Sequence, residues 1–301
     1  MTDHTIDVRH LGRVHAVAVQ LLETDFGPVL VDTGPGSTLD TLTAAMREHG
    51  VAPTDLHAVL LTHIHFDHAG ATGLLVEANP ALRVFVHERG APHLSDPSRL
   101  IASATRIYGN RMDMLWGRLL PVPPERMQVL RGGERIDFGD RRFDVLYTPG
   151  HAVHHVSFFE AATRTAYVGD TGGIRLPVQP HPLPVSPPPD FDLEAWLDSL
   201  DRIEAWGPER LFLTHYGFHD NAPAHFAALR RGLHDWTQQV RTLLLQPESD
   251  AARADSFCEH VMTSLSDIPD GAARNGIATF SDFRASFNGI ARYWSKRALS
   301  E

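Results

Sequence analysis

Short apolar runs, broken by glycine, proline and aspartate, recur over much of residues 14–170, and their lengths predict strands more often than helices. VHAVAVQLLET (14–24) and PVLVDTG (28–34) flank a DFGP turn and predict a hairpin. Ser37 or Thr38 then caps a predicted helix reaching about His49, with Leu39, Leu42, Ala45 and Met46 at helical spacing and Gly50 ending it. DLHAVLLT (55–62) is apolar almost throughout, as a buried strand should be, and it leads into HIHFDHAG. A short helix through residue 78 and a strand at 83–88 (RVFVHE) follow.

Residues 97–120 read as helical and carry Tyr108, Met112, Met114, Leu115 and Trp116. These side chains either pack a helical excursion or form a lid over a pocket, since methionines and aromatics adapt to varied apolar ligands. Strands are predicted at 127–131, 135–138 and 141–148, then as a hairpin at 155–160 and 165–170 that ends on Asp170. Residues 177–190 hold seven prolines in fourteen positions and predict a stiff, polyproline-like surface crossing. A helix at 192–206, a strand at 210–213 and the turn THYG complete a predicted domain over 1–220. The remainder, 221–301, predicts a helical extension packed on it, with Phe283, Phe287, Ile290 and Trp294 on one face.

Composition narrows the function. The formal charge of −10, with Lys296 as the one lysine, argues against nucleic acid, because phosphate neutralisation needs a local cationic field. No apolar run approaches the roughly 18 residues of a membrane-spanning helix, and the start MTDHTIDVRH carries no apolar stretch behind a basic segment. With a single cysteine, Cys258, the expectation is a cytoplasmic protein without an intrachain disulfide. Nineteen histidines raise the prior for a metal site.

The chemistry concentrates in H-x-H-x-D-H at 63–68. Near a strand end His63 and His65, two residues apart, can point the same way. The chain then turns into a helix, so Asp67 and His68 can address a second point nearby. His151 after TPG, Asp170 after YVG and His215 after LFLT also stand at predicted strand ends, where a site assembled on a sheet rim would draw its ligands.

THIHFDHAG, TPGH, GD and TH at 214–215, together with VDTG at 31–34, resemble the metal-binding motifs and N-terminal signature of the metallo-β-lactamase superfamily, over roughly residues 10–220. The resemblance implies an α/β fold: a four-layer αβ/βα sandwich with the metals at one edge, here with the helical extension added. It implies two divalent ions, zinc by default with iron or manganese as alternatives. One would take His63, His65 and His151, the other Asp67, His68 and His215, with Asp170 bridging and Asp32 in support. Asp67 and Asp170 would be the catalytic carboxylates. Against four positive charges they leave two, and a bridging hydroxide leaves one, still enough to polarise a carbonyl or phosphoryl oxygen.

Within that superfamily the HIHFDH stretch is similar to acyl-homoserine-lactone lactonases and to glyoxalase II-type thioesterases. A glyoxalase II-like branch fits best, although the basic and tyrosine cluster that would hold a glutathione carboxylate is not visible. β-Lactam hydrolysis is disfavoured, since the cysteine ligands that define some classes are absent. The resulting expectation is hydrolysis of an ester, lactone or thioester in a small-molecule substrate. The alternatives are a mononuclear iron dioxygenase acting on a persulfide, a phosphodiesterase, and a metal-stabilised binding module without turnover. Tyr108, Arg175 and Tyr216 are candidates either for the pocket wall or for structural roles, and no membrane or nucleic-acid partner is expected. A homo-oligomer is compatible with the sequence.

Overall fold

The computed structural model describes residues 3–298, so the expected outer limits at 1 and 301 lie outside the described residues. Two six-stranded mixed sheets face each other. The first runs in chain order through β1 (His4–Asp7), β2 (Ala18–Leu22), β3 (Val29–Val31), β4 (Ala58–Leu60), β5 (Arg83–His87) and β6 (Met127–Leu130). The second holds β7 (Arg135–Asp137), β8 (Arg142–Tyr147), β9 (Val156–Glu160), β10 (Thr165–Tyr167), β11 (Arg210–Leu213) and β12 (Gly217–Asp220), with β12 and β7 at its edges. The helices are α1 (Leu39–Glu48), α2 (Phe66–Ala69), α3 (Thr72–Ala78), α4 (Ala91–Ser95), α5 (Ser98–Tyr108), α6 (Met112–Trp116), α7 (Leu193–Ala205), α8 (Ala222–Leu244), α9 (Asp250–Ser264), α10 (Gly271–Ser281) and α11 (Phe283–Ala298). No helix among the described residues is long and apolar enough to cross a membrane.

Strand alternation produces the layers. Ala18, Leu22, Val29, Val31, Ala58 and Leu60 meet Phe143, Val145, Phe158 and Phe212 between the sheets. The neighbouring residues Val19, Leu21, Leu30 and Val59 face the other way, onto Leu42 and Met46 of α1 and Leu75 of α3. On the far side of the second sheet, Phe159, Ala166, Leu211 and Leu213 pack with Trp196 of α7 and Phe226 of α8. That third core continues without a break into α9 and α11 through Phe257, Phe283, Phe287 and Ile290. Trp294 is half-buried, and its indole N–H donates to the Thr237 carbonyl at 2.9 Å.

Several sequence expectations change. Strand β2 is confined to residues 18–22 of the run 14–24, because His10–Gly12 forms a 3-10 turn and His15 adopts φ 60. The expected helical stretch 97–120 breaks at Gly109, φ 56, into α5, a 3-10 turn and α6. β12 was not anticipated: GFHD carries no apolar alternation, yet it pairs on β11 and sets Phe218 against Phe212 and the Arg210 guanidinium.

The largest correction concerns the proline-rich crossing at 177–190. Pro182, Leu183, Pro184 and Ser186 are buried, so it is no surface strap. Ile174 and Leu183 exchange both backbone hydrogen bonds, at 2.9 and 2.8 Å, and α8 and α11 close over the segment. Gly232 of α8 lies against the Pro184 ring, and Gly289 of α11 lies against Ser186.

Candidate metal centre

The parallel pairs β3–β4 and β10–β11 end at the same rim, and each of these four strands delivers a polar side chain there. Asp32 follows β3, Thr62 and His63 follow β4, Asp170 follows β10, and Thr214 and His215 follow β11. His151 comes from the loop between β8 and β9, while Asp67 and His68 ride on α2.

The seven expected ligands all converge, in two clusters. His63, His65, His151 and Asp170 form one, and Asp67, His68 and His215 the other, each with candidate ligand atoms within 4.8 Å of one another. In the first, His65 Nδ1 stands 2.9 Å from His63 Nε2 and 3.0 Å from His151 Nε2. In the second, the Nε2 atoms of His68 and His215 are 3.1 Å apart and Asp67 Oδ2 is 3.4 Å from His215 Nε2. Asp170 lies between them. Its Oδ2 is 3.4 Å from His151 Nε2, and its Oδ1 is 3.2 and 3.5 Å from the Nε2 atoms of His68 and His215.

The outward ring nitrogens decide what the inward ones can be. Nδ1 of His68 lies 2.8 Å from Asp32 Oδ2, Nδ1 of His215 2.8 Å from the Ala16 carbonyl, and Nδ1 of His151 2.7 Å from the Val185 carbonyl. A carbonyl or carboxylate only accepts, so each Nδ1 carries a proton and each neutral ring turns a lone pair inward at Nε2. Lone pairs facing each other at 3.1 Å, beside a buried carboxylate oxygen that no donor reaches, call for positive charge between them. Ligand atoms around a tetrahedral ion at about 2.0–2.2 Å stand roughly 3.4 Å apart, so the residues present fit a cation in each cluster.

The electrostatics differ between the clusters: the field of the second favours positive charge on His68 and His215. Burial disfavours a charged His68, but the carboxylates of Asp170, Asp32 and Asp67 outweigh it and hold its pKa well above the ordinary histidine range. Burial would likewise raise Asp67 and Asp170, yet His68 and His215 hold both below the usual carboxylate range. In the first cluster burial dominates: His65 is pushed down to about 3, and His63 is also lowered. Neutral imidazoles in the first cluster, and ionised carboxylates whose field draws positive charge to the Nε2 atoms of His68 and His215 in the second, suit a metal-ligand set.

Sequence reasoning missed part of the frame. Thr62 and Thr214 both donate their hydroxyls to Asp32 Oδ2, at 2.9 and 2.7 Å, and the Thr62 amide donates to Oδ1 at 2.8 Å. The available signal was the repeated Leu-Thr-His at 61–63 and 213–215. It also missed His10, which stacks on Trp116 at 5.5 Å and donates from Nε2 to the Leu115 carbonyl. Trp116 further meets Phe66 at 5.7 Å and the Tyr108 ring edge-on at 5.4 Å. Phe66 immediately precedes Asp67, so an aromatic wall adjoins the second cluster.

Close backbone contact fixes that wall. A Cβ on Gly117 would fall 2.4 Å from the Ser37 nitrogen, and the Ser37 hydroxyl donates to the Leu115 carbonyl at 2.9 Å. Tyr216 lies under the His15 ring, 4.7 Å away. Arg175 turns elsewhere: its guanidinium donates to the Pro180 carbonyl and toward His225, lining a separate cavity of about 290 Å³. A larger cavity, about 440 Å³, lies behind the His151 turn between Arg89, Tyr147, Asp190 and Lys296, and none of the seven residues lines it.

Residues 12–215 match the family model of the metallo-beta-lactamase superfamily, and the chain belongs to that superfamily of metallohydrolase folds. The chain is 27% identical over 165 residues to the metallo-beta-lactamase fold-containing protein ST1585 of Sulfurisphaera tokodaii, covering 54% of this chain and 61% of that one. It is 31% identical over 116 residues to the hydroxyacylglutathione hydrolase of Thermosynechococcus vestitus, covering 38% and 34%. It thus spans less than two thirds of either curated relative. Among solved structures, TTHA1623 in a di-iron-bound form is 31% identical with a TM-score of 0.52, covering 71% of this chain and 93% of that one.

Proposed function

We propose that this chain is a two-metal hydrolase that opens an ester, lactone or thioester bond in a small acyl substrate, with zinc as the first metal to test. The observation that carries this reading is Asp170, whose two oxygens face different clusters. Asp67, His68 and His215 make up a second set that supports the two-metal reading, and metal content separates it from a one-iron oxygenase. Two divalent ions held by these seven residues would supply an ionised water near neutral pH and a Lewis-acidic anchor for the oxyanion.

The protein's own part is orientation and exclusion of water. Val185, Ala16 and Asp32 hold three imidazoles in the tautomer that turns Nε2 inward. Phe66, Tyr108 and Trp116 form an apolar wall beside Asp67, which suits an acyl group better than a phosphodiester backbone. The chain's charge of −10 supports the same preference. The hydroxyacylglutathione hydrolase relatives add thioesters to the substrates worth testing.

The test is elemental analysis of the purified chain with a panel of lactones, thioesters, phosphodiesters and RNA, repeated after chelation. Two metals per chain and chelator-sensitive hydrolysis of an acyl substrate are expected. One iron per chain with thiol oxygenation, or RNA cleavage faster than every lactone and thioester, would overturn the reading.

A further inference from the structure

Among the histidines that a main-chain carbonyl orients toward the clusters, His151 is the one held by the proline-rich segment. The Val185 carbonyl accepts its Nδ1 proton at 2.7 Å. That carbonyl belongs to a segment without regular secondary structure between the Ile174–Leu183 bridge and α7, so its own ladder does not fix it. The next residue is fixed from outside. The Ser186 amide donates to the Ser286 hydroxyl of α11 at 3.3 Å, with both residues essentially inaccessible to solvent. One helical turn further on, a Cβ on Gly289 would fall 1.9 Å from the Ser186 carbonyl oxygen and 2.9 Å from the Pro187 carbonyl carbon. Gly289 has helical backbone and needs no left-handed freedom, so its missing side chain serves this close approach alone.

We infer that Ser286 and Gly289 of the C-terminal helix are positioning residues for the metal centre, acting on His151 through the Ser186 backbone and the Val185 carbonyl. The inference rests on the reading of His151 as a ligand and extends it to a helix that contributes no ligand. The mechanical route is short. Ser286 holds the N–H of the Val185–Ser186 peptide, the same peptide whose carbonyl accepts from His151, and Gly289 lets α11 close on the peptide that follows it. Displacing the carbonyl loosens the Nδ1 proton, and with it both the tautomer and the tilt of the ring that presents Nε2 to His65 and Asp170. Outer partners of this kind tune metal affinity by about 10–100-fold when removed directly. Because the two residues act through that peptide and not on the ring itself, an effect of about tenfold is expected.

The experiment titrates zinc against a chromophoric chelator in the full chain, comparing wild type with Ser286→Ala and Gly289→Ala. Each substitution is also made in an Asp67→Ala background, which leaves the first cluster complete. Val261→Ala, which thins the same C-terminal core on α9 without touching the segment, serves as the control for loosened packing. The expected result is a first-cluster affinity weakened about tenfold by Ser286→Ala and further by Gly289→Ala. Val261→Ala should lower the melting temperature and leave that affinity alone, and Ser286→Thr, which keeps the hydroxyl acceptor, should restore most of it. Should Gly289→Ala not fold, Ser286→Ala alone decides, since it removes one hydroxyl and adds no volume. A wild type that loads two metals while Ser286→Ala binds the first as tightly would overturn this inference and leave the functional reading standing. The same holds if Val261→Ala weakens the first cluster equally. A wild type that binds no metal overturns both.

Discussion

The two halves of the centre are braced by different kinds of structure. Asp32 contacts the outward nitrogen of His68 and is itself fixed by Thr62 and Thr214, all at the ends of neighbouring strands. His151 instead depends on a carbonyl from residue 185, which is held by a helix about a hundred residues further on. The same imidazole tautomer is selected in both places. In one, the hydrogen-bond ladder of two sheets selects it. In the other, the packing of helices against an irregular segment does so.

Breaking the helical side should have the largest effect on stability. Phe287→Ala empties a fully buried site where α11 meets Phe257, and truncations of this kind cost about 3–5 kcal/mol. Denaturant unfolding should show that loss; a change under 1 kcal/mol would mean that α11 is not part of the cooperative core.

Asp170→Asn acts on both halves together. The amide keeps one oxygen but loses the charge that faces both clusters, so the second cluster should empty first and turnover should fall more than about a hundredfold, beyond the effect of outer partners. Elemental analysis with activity decides this: two tightly held metals with near-normal activity would remove the bridging role from Asp170.

Asp32→Asn sharpens the contrast. Its backbone sits at φ 57, where asparagine is also tolerated, so the fold should survive while the carboxylate opposite His68 is lost. The second cluster should lose about 10–100-fold in metal affinity, with the first changed little. Equal weakening of both clusters would show that the braces are not separable.

The smallest effect is a pH response on the helical side. His225 of α8 donates from Nε2 to the Gly172 carbonyl at 2.8 Å, steadying the turn that carries Asp170, while Arg175 faces its Nδ1. Burial, with Arg175 adding to it, pushes its pKa down to about 4 from an ordinary 6.5. Between those values the unfolded chain binds the proton and the folded chain does not, so stability falls as pH falls. The first pH unit below 6.5 should cost about 1 kcal/mol, and His225→Gln should flatten that part of the wild-type stability profile. An unchanged slope would show that His225 does not titrate between the two states.

These differences also explain what could be read from the sequence. His63, His65, Asp67 and His68 lie within six residues after an apolar run, so both strand and ligands are visible locally. The strands were legible from their apolar runs, whereas the sandwich was implied by the family resemblance that VDTG, THIHFDHAG, TPGH, GD and TH carry. The environment of 177–190 could not be read in the same way. Proline content reports backbone stiffness and a shortage of donors, but not which helix will cover the segment. β12 escaped because GFHD has one apolar side chain, Phe218, too few to show a period. The wall around Trp116 depends on Gly36 and Gly117 letting two loops touch, a contact between positions about eighty residues apart.

The burial of Ser186 under α11 also sets an order of assembly. Both sheets, and all seven inward-facing residues, have been synthesised once residue 220 has left the ribosome. The helix that presses on Ser186 begins only at residue 283. A nascent chain would therefore have all seven residues in hand before the contact that holds Val185 exists. On the reading of His151 as a ligand, the first cluster would then mature late in the life of the polypeptide, timed by the arrival of a helix that supplies none of the seven.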